Sequence, residues 1–462
     1  MNVLAFDLGA SSGRAIIGQF DGSKLSMKEV HRFINGTVKI QNHLYWDIPR
    51  FFEEMQAGLK EAMNSMPIES FGIDSWGVDG AFIGRNNTLL GNPYGYREFS
   101  VENMNECIDA VGAEKLYDIT GIQFLPFNTI FQFYRHIKEN NPLIDAAENF
   151  LFIPDYLRFL FTGKMNTEYT IASTGQMLDA KTYDWSKELI KPLNIPENLL
   201  GEIVHPGTVC GKVEGTDVKA IAVAGHDTGS AVLSVPVTEE SDDWAWMSSG
   251  TWSIIGIESP TPIISEEGRA ENFSNEGGAF KTIRFLKNIM GLWISQECRR
   301  IWASYGKQYS YDTLDEMVQN AYPNGPTIEL NDNRFMAPEN MILEIQDACE
   351  ETGQTVPESP GEIMRCVLES LAKEYAKVLK TLGKLTGKNF KKLHVVGGGT
   401  NNKRLNQMTA DSCGIPVIAG PVEGTAIGNI LMQLIANGEL ANISEARQLV
   451  KDSFPTTTYE PK

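Results

Sequence analysis

Residues 3–20 read VLAFDLGASSGRAIIGQF, and the stretch DLGASSGR (Asp7 to Arg14) inside them decides how the rest of the chain is organised. Val3-Leu4-Ala5-Phe6 and Ala15-Ile16-Ile17 are short apolar runs, and the Gly/Ser cluster between them is turn chemistry, so the spacing predicts strand, turn, strand. Two residues of the Asn-Gly type suffice for a tight hairpin. This run of small side chains is longer than a turn requires, which suggests that the turn holds something. Glycines let a ligand approach the backbone, serines donate hydrogen bonds, and successive N–H groups in such a turn form an anion-binding concavity. An ordinary small-residue hairpin and a phosphate loop both stand open on this stretch alone.

The 462 residues are long enough for two or more domains, and 42% hydrophobic with 21% charged residues is a globular composition. With 40 basic against 59 acidic residues the formal net charge is −19. Such a surface repels nucleic-acid backbone and anionic lipid, so a phosphate site must be a local exception. The first residues carry no basic segment, and Asp7 interrupts the early apolar run, so no secretory leader is expected. No run reaches the length of a membrane span. A cytoplasmic protein acting on small molecules is the expectation. The six cysteines include no CxxC pair, and the six histidines do not cluster with them. Free thiols without structural zinc are therefore expected, with a Cys349 to Cys366 bridge left open by spacing.

Further along, Ile48, Phe51, Phe52, Met55, Leu59, Ala62 and Met63 recur at helical spacing. SFGIDSWGVDGAFI (70–83) reads as strand, glycine turn, strand, and helical patterns follow around 101–118, 128–139 and 154–161. In KAIAVAGHDTGSAVLSV (219–235), Ile221 to Ala224 form a buried strand, and Asp227 or Thr228 caps a helix beginning at Gly229. Asp227 can serve there as a cap or as a base. The polar segment PVTEESDD (236–243) marks a boundary, giving domains 1–237 and 238–462. Beyond it, WAWMSSGTWSIIGIES (244–259) repeats the strand, Ser/Gly/Thr turn, strand pattern, which suggests a duplicated plan. Helices are expected over 288–302, 360–385 and 424–438, and KLHVVGGGTNNKRLNQMTAD (392–411) is a strand ending in three glycines before a helix. That is a ligand turn at the carboxyl end of a strand. The chain has no G-x-x-x-x-G-K-[ST], because GKLTGK (383–388) is wrongly spaced, and no strand-linked G-x-G-x-x-G. A P-loop ATPase and a Rossmann dehydrogenase are both disfavoured.

What remains is DLGASSGR, GIDSWGVD, TGIQFLPFNT (120–129), SSGTWS (248–253), NEGGA (275–279), KNIMGLW (287–293) and VVGGGTNN (395–402). This set resembles the FGGY carbohydrate kinases, within the actin, hexokinase and heat-shock-chaperone ATPase superfold, over nearly the whole chain. The resemblance implies an α/β fold of two ribonuclease-H-like domains with a central cleft, a phosphate hairpin in each, and a GGG turn that receives adenosine. It implies that Ala10, Ser11, Ser12, Gly13 and Arg14 wrap the ATP phosphates, that Thr251 touches them, and that Gln296 and Gly398 meet the nucleotide nearer the adenosine. The sugar is then expected at Gly77, His226, Asp227, Thr228 and Asn288, with Asp79 as a further contact. Asp7 is expected to organise Mg²⁺ through water, and Asp227 to act as catalytic base. The implied reaction is Mg-ATP-dependent phosphorylation of a ketose, L-rhamnulose at C1 in L-rhamnose catabolism, with L-fuculose, L-ribulose and D-xylulose as alternatives. A non-catalytic nucleotide or sugar sensor on the same fold is the rival from another class. Three positions depart from the pattern near the sugar end: Glu98, Gly80 and Gly225.

Overall fold

The computed structural model describes residues 1–239 and 241–462, so Glu240, within the expected boundary segment, lies outside the described residues. The chain folds into two compact units. The first comprises Met1–Glu239, Glu258–Leu286 and Glu423–Phe454, the second 241–257, Lys287–Val422 and Pro455–Lys462. The chain crosses between units close to the expected 237/238 boundary, but it also returns twice, which a single cut does not capture. The cause of the second return is apolar. Ile427, Ile430, Leu431, Leu434, Leu449 and Val450, on the helices Gly424–Ala436 and Ile443–Ser453, are buried against Val3, Ala5, Phe20 and Leu25 of the first sheet.

In the first unit, strands Asn2–Leu8 and Ser12–Phe20 form the expected hairpin, with Leu8 opposite Gly13 and Asp7 opposite Arg14. Strand Leu25–Ile34 extends it on the outside. On the other side, Ser70–Ser75 runs parallel to the first strand, with Asp74 in register with Asp7, and Lys219–Ile221 runs parallel beyond it. Antiparallel Val209–Lys212 closes the edge. The second unit repeats this plan: Trp244–Ser249 pairs antiparallel with Trp252–Ser259, parallel with Lys392–Val396, and the latter parallel with Val417–Ala419. Thr457–Tyr459 closes that edge antiparallel. This shared strand order, within sheets of six and seven strands, bears out the ribonuclease-H-like duplication that the paired hairpins suggested.

Two helical expectations change, each at a glycine. The 101–118 pattern becomes Val101–Val111 and Ala113–Thr120, separated by Gly112 at φ 94°, a backbone conformation that stops a helix. The 288–302 pattern becomes strand Ile283–Met290 and helix Trp293–Ser304, because Gly291 sits where a Cβ would come within 2.6 Å of the Ser253 amide nitrogen. All six cysteines, Cys349 and Cys366 included, carry free thiols. Among the described residues no helix is long and apolar enough to cross a membrane.

A very close backbone approach in the first unit lies under the short helix Asp227–Leu233. The helix Gly424–Ala436 approaches it so closely that a Cβ at Gly428 would fall 1.7 Å from the Ser230 carbonyl oxygen. The obstacle is backbone, so the helices themselves must separate to admit a methyl group. Gly428→Ala is expected to destabilise the protein by about 2–3 kcal/mol, the upper range for overpacking. Urea unfolding checks this, and an unchanged midpoint would mean that the two helices are not held at this distance.

Candidate active site

Three chain segments of the first unit end side by side. Asp7 and Asp74 stand in register on adjacent parallel strands, and Ser75 bridges to His226, so the GHDT turn follows the same sheet edge. The Ser75 amide donates to the Gly225 carbonyl at 2.9 Å, fixing the turn to the strand. Glu168 holds it from the other side. Its carboxylate accepts from the amides of Gly225 at 2.9 Å and Ile171 at 3.1 Å, and from the Thr170 hydroxyl at 2.6 Å. This is the carboxyl end of a parallel sheet, where open α/β sheets take their ligands.

The helix after the turn begins at Asp227, two residues before the expected start, and its cap position is His226. Asp227 therefore lies in the first turn instead of at the cap. Its Oδ1 accepts from the Thr228 amide at 2.5 Å and hydroxyl at 3.2 Å and faces His226 Nε2 at 3.4 Å, which leaves Oδ2 without a protein donor among the described residues. The side chain keeps 34% of its surface accessible. Loss of hydration pushes its carboxyl above the ordinary carboxylate range, with the neighbouring Asp7 adding to the rise and His226 opposing it. Asp74 is fully buried and is pushed up further, first by burial and then by Asp7. Its Oδ2 accepts from Asn429 at 2.6 Å, whereas Oδ1 has no hydrogen-bond partner among the described residues.

The opening turn is built as a cradle. Gly9 donates to the Ser12 carbonyl at 2.9 Å, and Asn35 clamps the turn through its side chain to the Gly9 carbonyl and its amide to the Ser11 carbonyl. Ser11 is exposed at the tip, and Ala10 and Ser12 are half-buried. Gly13 has a packing reason: a Cβ there would lie 2.1 Å from the Phe33 ring. Arg14, expected at phosphate, spans two carboxylates, Asp7 and Glu423, at 2.5 Å each.

Near the expected sugar end, Gly77 packs on Thr174, and Val78 adopts φ 68°, an unfavourable conformation for a β-branched residue. The Thr174 hydroxyl accepts from the Val78 amide at 3.0 Å, and the Val78 carbonyl accepts from Thr129 at 2.6 Å. Strain held in this way collects at functional sites. Asp79, the further expected contact, is enclosed by protein donors. It is 1% exposed, and its oxygens accept from the indoles of Trp46 and Trp76 at 2.6 and 3.0 Å, the Tyr96 amide at 3.1 Å and Gln132 at 3.0 Å. The departures have packing causes too. The Phe150 ring fills the space of a side chain at Gly80, Glu168 Oε2 lies 3.0 Å from a Cβ at Gly225, and Glu98 binds His43 at 2.7 Å.

Thr251, Gln296 and Gly398 all belong to the second unit. The Thr251 carbonyl accepts from the Trp293 amide at 3.1 Å at the start of the helix that carries Gln296. Gly397 and Gly399 press on Ser249, whereas a Cβ at Gly398 would meet nothing within 4 Å, so that glycine faces open space. Asn288, expected at the sugar, lies on strand Ile283–Met290 in the part belonging to the second unit.

Comparison with known proteins identifies the family. The models for the FGGY family of carbohydrate kinases match residues 2–234 as the N-terminal domain and 245–437 as the C-terminal domain. A rhamnulokinase of Bacteroides thetaiotaomicron is 42% identical, covering 100% of this chain and 96% of its own. One of Enterococcus faecalis is 44% identical, covering 99% and 94%. Among solved structures, a ligand-bound xylulose kinase of Lactobacillus acidophilus superposes with a TM-score of 0.80 at 18% identity, covering 100% and 94%. Plasmodium falciparum glycerol kinase with ADP superposes at 0.78 and 16%, covering 100% and 94%. These two likenesses concern the fold.

The hydrogen bonds of Asp79 make it a structural hub. In Asp79→Asn the new amide group faces donors instead of accepting from them, and the expected loss is about 1–3 kcal/mol. Denaturant unfolding measures it. An unchanged stability combined with a raised KM for sugar would make Asp79 a sugar ligand and not a structural hub.

Proposed function

The chain belongs to the FGGY family of carbohydrate kinases, and from that premise we propose that it transfers the γ-phosphoryl group of ATP to the C1 hydroxyl of L-rhamnulose, giving L-rhamnulose 1-phosphate and ADP. The observation that carries this is Asp227: a carboxylate at a sheet edge, oriented through one oxygen and open at the other. The full-length similarity to rhamnulokinases supports the choice of sugar. The reaction belongs in the cytoplasm, as a step of L-rhamnose catabolism.

Phosphoryl transfer is mainly positioning and electrostatic stabilisation, with little covalent chemistry for the protein. Asp227 Oδ2 accepts the proton of the C1 hydroxyl as that oxygen forms its bond to the γ-phosphorus and the bridge to ADP breaks. General-base help of this kind is worth on the order of 10²–10⁴ in rate. His226 and Thr228 orient the base through Oδ1 and stand beside the sugar. The backbone amides of residues 10–13 and the Thr251 turn offer donors to phosphate oxygens, and Gln296 and Gly398 serve the nucleoside.

Mg²⁺ fits the first unit: Asp7 and Asp74 crowd together, and a buried Asp74 oxygen is unpaired. Among the described residues no group of three or more His, Cys, Asp or Glu side chains is arranged to hold a metal by itself. Asp7 would therefore hold the ion through water while ATP phosphates supply other ligands, as is usual for Mg²⁺. When bound, the ion neutralises charge developing on the phosphates.

Coupled ADP release over a ketose panel tests the proposal. L-rhamnulose is expected to give the highest kcat/KM; if no ketose exceeds the ATP-only background, the sensor alternative stands instead. Asp227→Asn should retain ATP and sugar affinity and lose roughly 10²–10⁴ of kcat. Because the base must be ionised and its carboxyl is raised, the acid limb of the kcat/KM profile should fall above the ordinary carboxylate value. A limb at that ordinary value would exclude Asp227 as the titrating base.

A further inference from the structure

Behind Asp227 lies a buried charged chain that the proposed reaction does not use directly. Arg284 and Glu276 come from a hairpin of the first unit, in which Glu276 stands opposite Arg284. Arg284 is 0% exposed and Glu276 4%. The guanidinium is locked in place: Nε donates to the Gly277 carbonyl at 2.8 Å, and Nη2 lies 3.3 Å from Glu276 and 3.1 Å from His226 Nδ1. Its carbon would be 3.6 Å from a Cβ at Gly229, so it packs beneath the first turn of the Asp227 helix. Tyr169 and Glu168 face it from the neighbouring segment.

An arginine presents only donors and stays protonated in proteins. A ring nitrogen that meets its N–H must offer a lone pair. Nδ1 of His226 is therefore the acceptor, and the neutral imidazole carries its proton on Nε2, the nitrogen that faces Asp227 Oδ1 at 3.4 Å. Glu276, at 3.1 Å from the same Nδ1, would favour the opposite tautomer if it acted alone. Its pairing with Arg284 turns its charge to neutralising the guanidinium. Burying this pair forfeits the hydration of two ions, a cost that apolar side chains of similar volume would avoid. A fixed tautomer is a function that apolar side chains could not supply.

We propose that Arg284, paired with Glu276, is a positioning residue that holds His226 as the Nε2–H tautomer and so directs a hydrogen bond onto Oδ1 of Asp227, presenting Oδ2 to the substrate hydroxyl. The catalytic half of this rests on Asp227 being the base; the tautomer half does not. The general logic, in which a second group fixes an imidazole's tautomer for catalysis, is well established elsewhere.

The test has two arms. In the first, the full-length protein labelled with ¹⁵N-histidine is examined by NMR, with His226→Gln assigning the resonance. Wild type is expected to show Nδ1 unprotonated and Nε2 protonated, and Arg284→Met to lose that preference. A protonated Nδ1 in wild type overturns the proposal, whatever the enzyme's substrate proves to be. In the second, Arg284→Met and Arg284→Lys should lower kcat about 10–100-fold, the usual range for an outer-shell partner, with KM for ATP unchanged. In an Asp227→Asn background Arg284→Met should cost nothing further, because it acts through that carboxylate. A loss that multiplies on Asp227→Asn, or a raised KM for ATP in Arg284→Lys, would assign Arg284 to general structure. If Arg284→Met does not fold, the wild-type spectrum and the lysine variant still decide.

Discussion

Everything at the proposed active centre answers to one electrostatic constraint: Asp7, Asp74 and Asp227 converge at one end of a single sheet. Like charges in a partly dehydrated site repel strongly, and each carboxylate has its own relief. Asp7 has Arg14, Asp74 has the amide of Asn429, and Asp227 has His226. The compensation is incomplete, since Asp74 keeps one oxygen unpaired and both Asp74 and Asp227 are raised. A site left short of positive charge is suited to a cationic partner accompanying a phosphate. Arg14 also changes meaning in this light. It answers the charge of Asp7 and Glu423 before any ligand arrives, so a phosphate contact from it would have to share the guanidinium.

The duplication carries the architecture. A hairpin, a parallel partner, a second parallel strand and an antiparallel edge recur in both units. The repeated small-residue hairpins made that plan legible, because turn chemistry is local and each hairpin contains both of its strands. The GGG and GHDT turns were legible for the same reason. Domain limits were legible only in part, since the return of residues 423–454 to the first unit depends on which sheet their apolar face covers, and periodicity reports a face without its partner.

What escaped the sequence lies in long-range pairs. Asn429 reaches Asp74 across more than 350 positions, Arg284 meets His226 from a separate hairpin, and Gly428 lets its helix seat against a carbonyl of the Asp227 helix. No local pattern marks such partners. Asp79 is a further case: nothing in IDSWGVD announces that two indoles, one of them from Trp46 more than 30 positions earlier, donate to its oxygen. The strained Val78 beside it was equally invisible, because a left-handed valine violates the local preference that sequence reasoning relies on.

A regiospecific phosphoryl transfer to a ketose leaves its record in the structure of the product. The full-length protein is incubated with Mg-ATP and L-rhamnulose, and the product is examined by ¹H–³¹P correlation NMR. The expected product is a monophosphate whose phosphorus couples to the C1 methylene protons, formed together with ADP. Phosphorus coupled to any other carbon's proton, or ADP released with the sugar unchanged, would contradict it.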